Sequence, residues 1–207
     1  FKKNRKKNII GISGGQGSGK STISLILKIL LKEKYGLNTI NFSIDDYYKT
    51  INSRNKLSKK ISPLFLTRGV PGTHDIEMLF KDLKRLKKKN FRKISLPKFD
   101  KSLDNRLPKK KWTKINQKPD LIIFEGWCVG AKSQSDKELK QPINKLEREE
   151  DSNFKWRKTV NEKLKKNYQK VFKMINLLIF LKVPSFKYVL KWRMLQEQKL
   201  KFKSKGK

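Results

Sequence analysis

Residues 14–22, GGQGSGKST, constrain this chain more than any other segment. Gly14, Gly19, Lys20 and Ser21 satisfy the spacing G-x-x-x-x-G-K-[ST]. The apolar stretch from Asn8 to Ile12 runs straight into it. Beyond it, Ile23, Ile26, Leu27, Leu30 and Leu31 recur at helical spacing and predict one buried face. A strand therefore enters a glycine loop that opens a helix. Glycines let backbone N–H groups curl round an anion, and the helix N-terminus adds partial positive charge. Lys20 is placed to bridge terminal phosphates, and the Ser21 hydroxyl to hold Mg²⁺. Gly14, Gly15, Gln16, Gly17, Ser18, Gly19, Lys20, Ser21 and Thr22 are the candidate nucleotide-phosphate residues.

Further along, strand and helix signals alternate. Asn38 to Ile44 alternates like a strand and ends in Asp45-Asp46. Asp75 is placed to cap a helix carrying Ile76 to Leu86, and Ile94 to Leu96 reads as a short strand. Leu121 to Phe124 is a continuous apolar run ending in Glu125-Gly126, as a central parallel strand would. Residues 132–152 are polar and hold a third of the acids, a surface excursion. Trp156, Val160, Leu164, Tyr168, Val171 and Ile175 then share one helical side. Leu177 to Val183 reads as another buried strand, followed by an amphipathic helix from Phe186 to Leu195. This order predicts an α/β fold of P-loop type, three layers around a mostly parallel sheet, in one domain over 1–207.

Composition closes off other classes. Leu, Ile, Val and Phe make 60 of 207 residues, enough for a packed core. One cysteine, Cys128, excludes a disulfide scaffold or a Cys-rich zinc module. No apolar run approaches the roughly 18 residues of a membrane helix, and FKKNRKK is followed by too few apolar residues for a signal peptide. A soluble, cytoplasmic protein is expected. The net charge of +35 invites a nucleic-acid partner. Yet lysine supplies 44 cations and arginine 9, alanine occurs once, and Lys81, Lys84, Lys87 and Lys88 interleave with an apolar helix face. That is a biased, solvated surface without aromatic-interleaved basic stripes, so nucleic acid is not the expected partner. Nothing in the residues fixes an oligomeric state.

Glu125, after the buried strand LIIF, lies where strand ends gather beside a phosphate loop and is placed to hold a metal through water. A signalling GTPase would carry Asp-x-x-Gly there and Asn-Lys-x-Asp elsewhere; the near miss Asn144-Lys145-Leu146-Glu147 ends in the wrong acid. A kinase must instead bind a hydroxyl and remove its proton. Asp45, at the end of the second strand, suits that task, and turn chemistry before Tyr47-Tyr48 suits it equally. Neighbours at a strand end point to opposite sides, so Asp45 and Asp46 should not share one role.

GISGGQGSGKST, SIDDYY, RGVPGTHD, PKFDKS, FEGWCVGA and LKVPSFKYVLKWRMLQEQKL together resemble the D-glycerate 3-kinases of bacteria and plants. These belong to the wider P-loop group with uridine kinase, phosphoribulokinase and pantothenate kinase. The resemblance runs from Ile9 to about Leu200. It implies transfer of the ATP γ-phosphate to the 3-hydroxyl of the small hydroxy acid D-glycerate, with Mg²⁺. It further implies Asp45 as base, Glu125 as the strand-end metal acid, and a lid arginine at Arg193. Asp46, Tyr48, Arg68, His74, Asp100, Lys101 and Arg106 fall in segments bordering the acceptor pocket of such kinases. Arg68 can grip a carboxylate with two prongs, whereas His74 serves equally as ligand or as part of the helix start at Asp75. Relatives continue with a further helix and a final strand near the adenine; a chain running from Phe1 to a basic end at Lys207 is expected to be truncated at its C-terminus.

Overall fold

The computed structural model describes residues 8–185, 187–192, 194–195 and 198. Its elements in chain order are β1 (Ile9–Gly14), α1 (Lys20–Tyr35), β2 (Thr39–Ser43), α2 (Ile51–Lys60), α3 (Ile76–Lys87) and β3 (Ile94–Leu96). There follow β4 (Phe99–Asp100), β5 (Asn105–Arg106), β6 (Thr113–Ile115), β7 (Leu121–Gly126), α4 (Asp136–Lys140) and α5 (Lys145–Glu149). The last are α6 (Lys155–Lys163), α7 (Gln169–Phe172) and β8 (Leu177–Leu181). Contacts divide the chain into two compact units, one of residues 1–43, 120–129 and 175–207, the other of 44–119 and 130–174.

The first unit holds a four-stranded sheet in the order β2–β7–β1–β8, every pair parallel. It is the expected α/β arrangement, a parallel sheet with helices. β1 and β7 are buried at every position, which is why they read as unbroken apolar runs rather than alternating ones. On one face Ile23, Leu27 and Leu31 of α1 pack against Ile10, Ile12, Leu121 and Ile123. Ile26 and Leu30, expected on that face, are instead 49% and 55% exposed. At 100° per residue only the i, i+4, i+8 row points at the sheet, and its flanks turn away. Gly36 ends α1 at φ 63°, its N–H returning to Leu31 and Lys32 carbonyls.

β8 corrects a second expectation. The apolar run was expected to be buried, but Leu177, Leu178 and Phe180 are 45–65% exposed. Among the described residues β8 pairs only with β1, and an edge strand has half the neighbours of a central one. Helix follows at 187–192, within the span expected for it.

In the second unit α3 starts as expected, with Asp75 accepting from the Met78 N–H. Its buried face is Ile76, Leu79, Leu83 and Leu86. β3 pairs antiparallel with β6, and β4 with β5. The excursion at 132–152 is mostly exposed, with Leu139 and Asp151 as its buried anchors. Asp151 accepts from the Trp156 and Arg157 amides at 2.7 and 3.0 Å, fixing the start of α6. A π turn at Leu164–Tyr168 joins α6 to α7 and keeps Leu164, Tyr168 and Val171 buried. No described helix is long and apolar enough to cross a membrane.

Candidate active site

The phosphate loop lies wholly in the first unit. β1 delivers the chain to Gly14, where a Cβ would come within 2.8 Å of Ser18 Oγ and 2.9 Å of the Leu181 carbonyl. Gly17 has φ 78°, and a Cβ there would strike Cβ of Trp192 at 2.7 Å. Only glycine fits either position. Gly19 stands at the N-cap of α1, whose first turn carries no acid to compete for an anion. Lys20 Nζ donates to the Gly15 carbonyl at 2.8 Å, so the ammonium lies across the loop it would share with a phosphate. Gln16, Ser21 and Thr22 are exposed, and Ser18 Oγ is buried without a hydrogen-bond partner among the described residues.

Strand register brings Glu125 to this loop. Glu125 sits opposite Ile12 of β1 and Ser43 of β2. The Ser21 hydroxyl donates to its Oε1 at 3.1 Å across 104 residues of chain. One hydroxyl and one carboxylate make a poor cage by themselves, and no group of three or more metal-binding side chains occurs among the described residues. They suit Mg²⁺, which keeps several waters and takes its other oxygens from phosphates.

The acceptor candidates fall in the second unit. Asp45 and Asp46 occupy a short turn at Ile44–Tyr47, immediately after β2 in sequence. β2 ends at Ser43, so strand alternation does not separate them; they differ in the partners they take. Asp45 Oδ2 accepts from Lys101 Nζ at 2.8 Å. Asp46 Oδ1 accepts from the Phe99 amide at 3.4 Å and lies 3.4 Å from Lys98 Nζ, holding β4. Tyr48 stacks on His74 with ring centroids 4.3 Å apart and meets Phe99 edge-on at 5.3 Å. The Arg68 guanidinium lies over the other aromatic partner, 5.6 Å from the Phe99 centroid.

His74 is 2% exposed. Its Nδ1 is 2.7 Å from the Tyr168 hydroxyl, and Nε2 has no hydrogen-bond partner among the described residues. Burial pushes its pKa down to about 3, against the pull of the Asp45 charge and with the push of Lys49, so the ring is neutral.

Two expected ligands are committed elsewhere. Asp100 Oδ1 accepts from the Ser102 and Leu103 amides and the Ser102 hydroxyl, an Asx-type turn. Arg106 donates to the Tyr48 carbonyl at 2.8 Å and pairs with Asp75 at 3.4 Å, bracing the acid turn and the start of α3. Sequence reasoning missed Arg54 and Asp104. Arg54 is 0% exposed and donates to the Leu66 carbonyl and to both the carbonyl and carboxylate of Asp104. Arg68 takes the other oxygen of that carboxylate. Burial opposes the charge, but the hydrogen bonds from Arg54 and Arg68 hold Asp104 below the usual carboxylate range. Arg193 lies outside the described residues.

A parallel sheet whose central strand opens into a glycine loop, a lysine and a serine, answered by a carboxylate at the end of the next strand, defines a P-loop nucleotide-phosphate site. The chain belongs to the phosphoribulokinase/uridine kinase family, whose model matches residues 9–145, and is thus an ATP-using kinase by family. It is 35% identical over 201 residues, 93% of this chain and 71% of the other, to an uncharacterized kinase, mug58, of Schizosaccharomyces pombe. It is 29% identical over 197 residues to the chloroplastic D-glycerate 3-kinase of Arabidopsis thaliana, covering 91% of this chain and 41% of that protein. A solved D-glycerate 3-kinase from Cryptococcus neoformans superposes with a TM-score of 0.78 at 28% identity, over 96% of this chain and 71% of the other.

Proposed function

We propose that this chain transfers the γ-phosphate of ATP to the 3-hydroxyl of D-glycerate, giving 3-phospho-D-glycerate and ADP. The feature that supports the acceptor is Arg68, a guanidinium 29% exposed and laid on Phe99, which meets Asp104 through one nitrogen and would turn its fork to the acceptor carboxylate. A hydroxy acid offers such a carboxylate together with a hydroxyl, and a nucleoside does not. The likeness to two proteins named D-glycerate 3-kinase supports the same choice.

In the transfer, Lys20 leaves the Gly15 carbonyl for the terminal phosphates, joining the loop amides and the α1 N-terminus. Ser21 and Glu125 would hold Mg²⁺, which when bound offsets charge on the phosphate oxygens. Asp45 orients the acceptor hydroxyl and takes its proton as the new O–P bond forms and the bond to ADP breaks. Because the transition state is loose, the proton moves late and a carboxylate is basic enough. Arg193 is assigned to stabilise the transferring phosphoryl group. Most of the remaining lysines need no partner beyond water and counterions.

The test is ADP release with D-glycerate, uridine, pantothenate and ribulose 5-phosphate offered separately. The highest kcat/KM is expected for D-glycerate. Turnover on another acceptor with indifference to glycerate overturns the substrate, and ADP release driven by DNA or RNA alone overturns the small-molecule reading altogether. For the metal, Glu125→Gln is expected to raise the Mg²⁺ concentration needed for half-maximal activity roughly 10–100-fold, the usual cost of losing an outer carboxylate. An unchanged Mg²⁺ titration removes Glu125 from the metal site.

A further inference from the structure

β8 and β1 end at the same level, with Leu181 opposite Gly14 in a parallel pair. The chain leaving β8 therefore runs beside the chain leaving β1, which is the phosphate loop. What a side chain on each loop glycine would strike traces the contact. A Cβ on Gly14 would meet the Leu181 carbonyl oxygen and Cβ at 2.9 and 3.0 Å. One on Gly15 would meet Val189 and Val183 at 3.3 and 3.5 Å. One on Gly17 would meet Trp192 at 2.7 Å from Cβ, 3.6 Å from Cγ and 3.7 Å from the carbonyl carbon. The Gly17 Cα, one bond further back, is thus in contact range of Trp192. Val189 and Trp192 are three residues apart in the helix at 187–192 and share a face. Tyr188, four residues before Trp192, stands beside the indole with ring centroids 6.0 Å apart. The atoms that meet Gly15 and Gly17 are all carbon, so this face gives the loop bulk rather than hydrogen bonds.

Bulk has a use at this place. A phosphate loop binds through backbone N–H groups, and their aim depends on the φ and ψ of each residue. Gly17 stands at φ 78°, in a left-handed region that an unrestrained glycine leaves as readily as it enters. We propose that Trp192 is a positioning residue of the phosphate loop, its Cβ and Cγ bearing on Gly17 so that the loop amides stay aimed at the triphosphate of the nucleotide. The proposal rests on the reading of residues 14–22 as the triphosphate site. It gives the indole no contact with the nucleotide base and no part in phosphoryl transfer. A loop held ready from outside binds an anion without first having to be ordered. Only Cβ and Cγ bear on Gly17, and phenylalanine supplies both where alanine supplies one.

The affinities of the full chain for ATP with Mg²⁺ and for inorganic tripolyphosphate, each measured by calorimetry, test this. Trp192→Ala is expected to weaken both about 10-fold and in the same ratio, the worth of loosening one hydrogen bond to a charged group. Trp192→Phe is expected to stay within about twofold of the unmodified chain for both ligands. Weaker ATP binding with tripolyphosphate unchanged puts the indole on the base and overturns the proposal. A lower melting temperature with both affinities unchanged is what packing alone predicts, and overturns it too. Hydrogen exchange on the unmodified protein needs no variant. Coupling is reciprocal, so tripolyphosphate is expected to slow the amides of residues 187–192 together with those of the loop. Slowing confined to the loop overturns the proposal. Lys20→Ala tests the loop reading by itself. If it weakens both ligands and Trp192→Ala weakens neither, the loop reading stands and the role of Trp192 falls; if neither variant weakens them, both fall.

Discussion

Asp45→Asn is expected to lower turnover about a thousandfold, within the roughly 10²–10⁴ that a positioned general base contributes. The substitution keeps the shape of the side chain and removes its charge and its capacity to take the proton. It also removes the partner of Lys101, whose ammonium lies 2.8 Å from Oδ2. Lys101→Met separates these effects, since it removes the ammonium without altering the carboxylate and is expected to cost much less. ATP affinity should be unchanged in Asp45→Asn, because Lys20, Ser21 and the loop glycines proposed to hold the phosphates are untouched by it. Steady-state ADP release and ATP binding by calorimetry check both halves. Turnover within tenfold of the unmodified chain would leave Asp45 with only its turn, as the sequence equally allowed, and move the base elsewhere.

The phosphate loop and the residues proposed for the acceptor differ in how far the sequence announced them. A phosphate loop is built from backbone, so its glycines, lysine and serine are contiguous and carry their chemistry in their spacing. Glu125 was legible for a related reason. Leu121 to Phe124 reads as a central parallel strand, and such a strand ends beside the loop; the Ser21–Glu125 hydrogen bond follows from that register. Exposure of β8 was not legible, because burial of an apolar strand is decided by how many neighbours it acquires and not by its own side chains. The outer flank of α1 failed for a similar reason: helical spacing marks several apolar rows and does not say which one meets the sheet.

The second unit hides its contacts in polar segments. Arg54 sits in a run of Ser, Asn and Lys that looks solvated, yet it is fully buried. Its partner Asp104 is 50 residues away and adopts φ 48°, a left-handed conformation that aspartate tolerates better than most residues. The arginines of this lysine-rich chain carry structural tasks that the net charge conceals. Arg54, Arg106 and Arg157 are each largely buried and each bound to carbonyls as well as to an acid, which a planar fork can do and a point charge cannot.

Arg54→Leu tests that distinction and is expected to destabilise the fold by about 3 kcal/mol, the lower end of the range for breaking a buried pair from one side. The lower end applies because the Asp104 side chain is 37% exposed and water can take over part of its solvation. The loss also strands the Leu66 carbonyl 2.8 Å from where a donor had been. In a chain of this length that should lower the melting temperature by about 6–12 °C. Arg54→Lys is expected to recover little, since one ammonium cannot reach the Leu66 carbonyl and the Asp104 carboxylate together. The pH dependence has a fixed sign. Asp104 titrates below 3.8 when folded, so its pairing stabilises the chain above that value and is lost as the pH falls through the lowered one. The gap between unmodified protein and Arg54→Leu should therefore close in acid. A change under 2 °C at neutral pH would mean the carboxylate is held well enough by Arg68 alone, and that Arg54 fills space where an apolar side chain would serve.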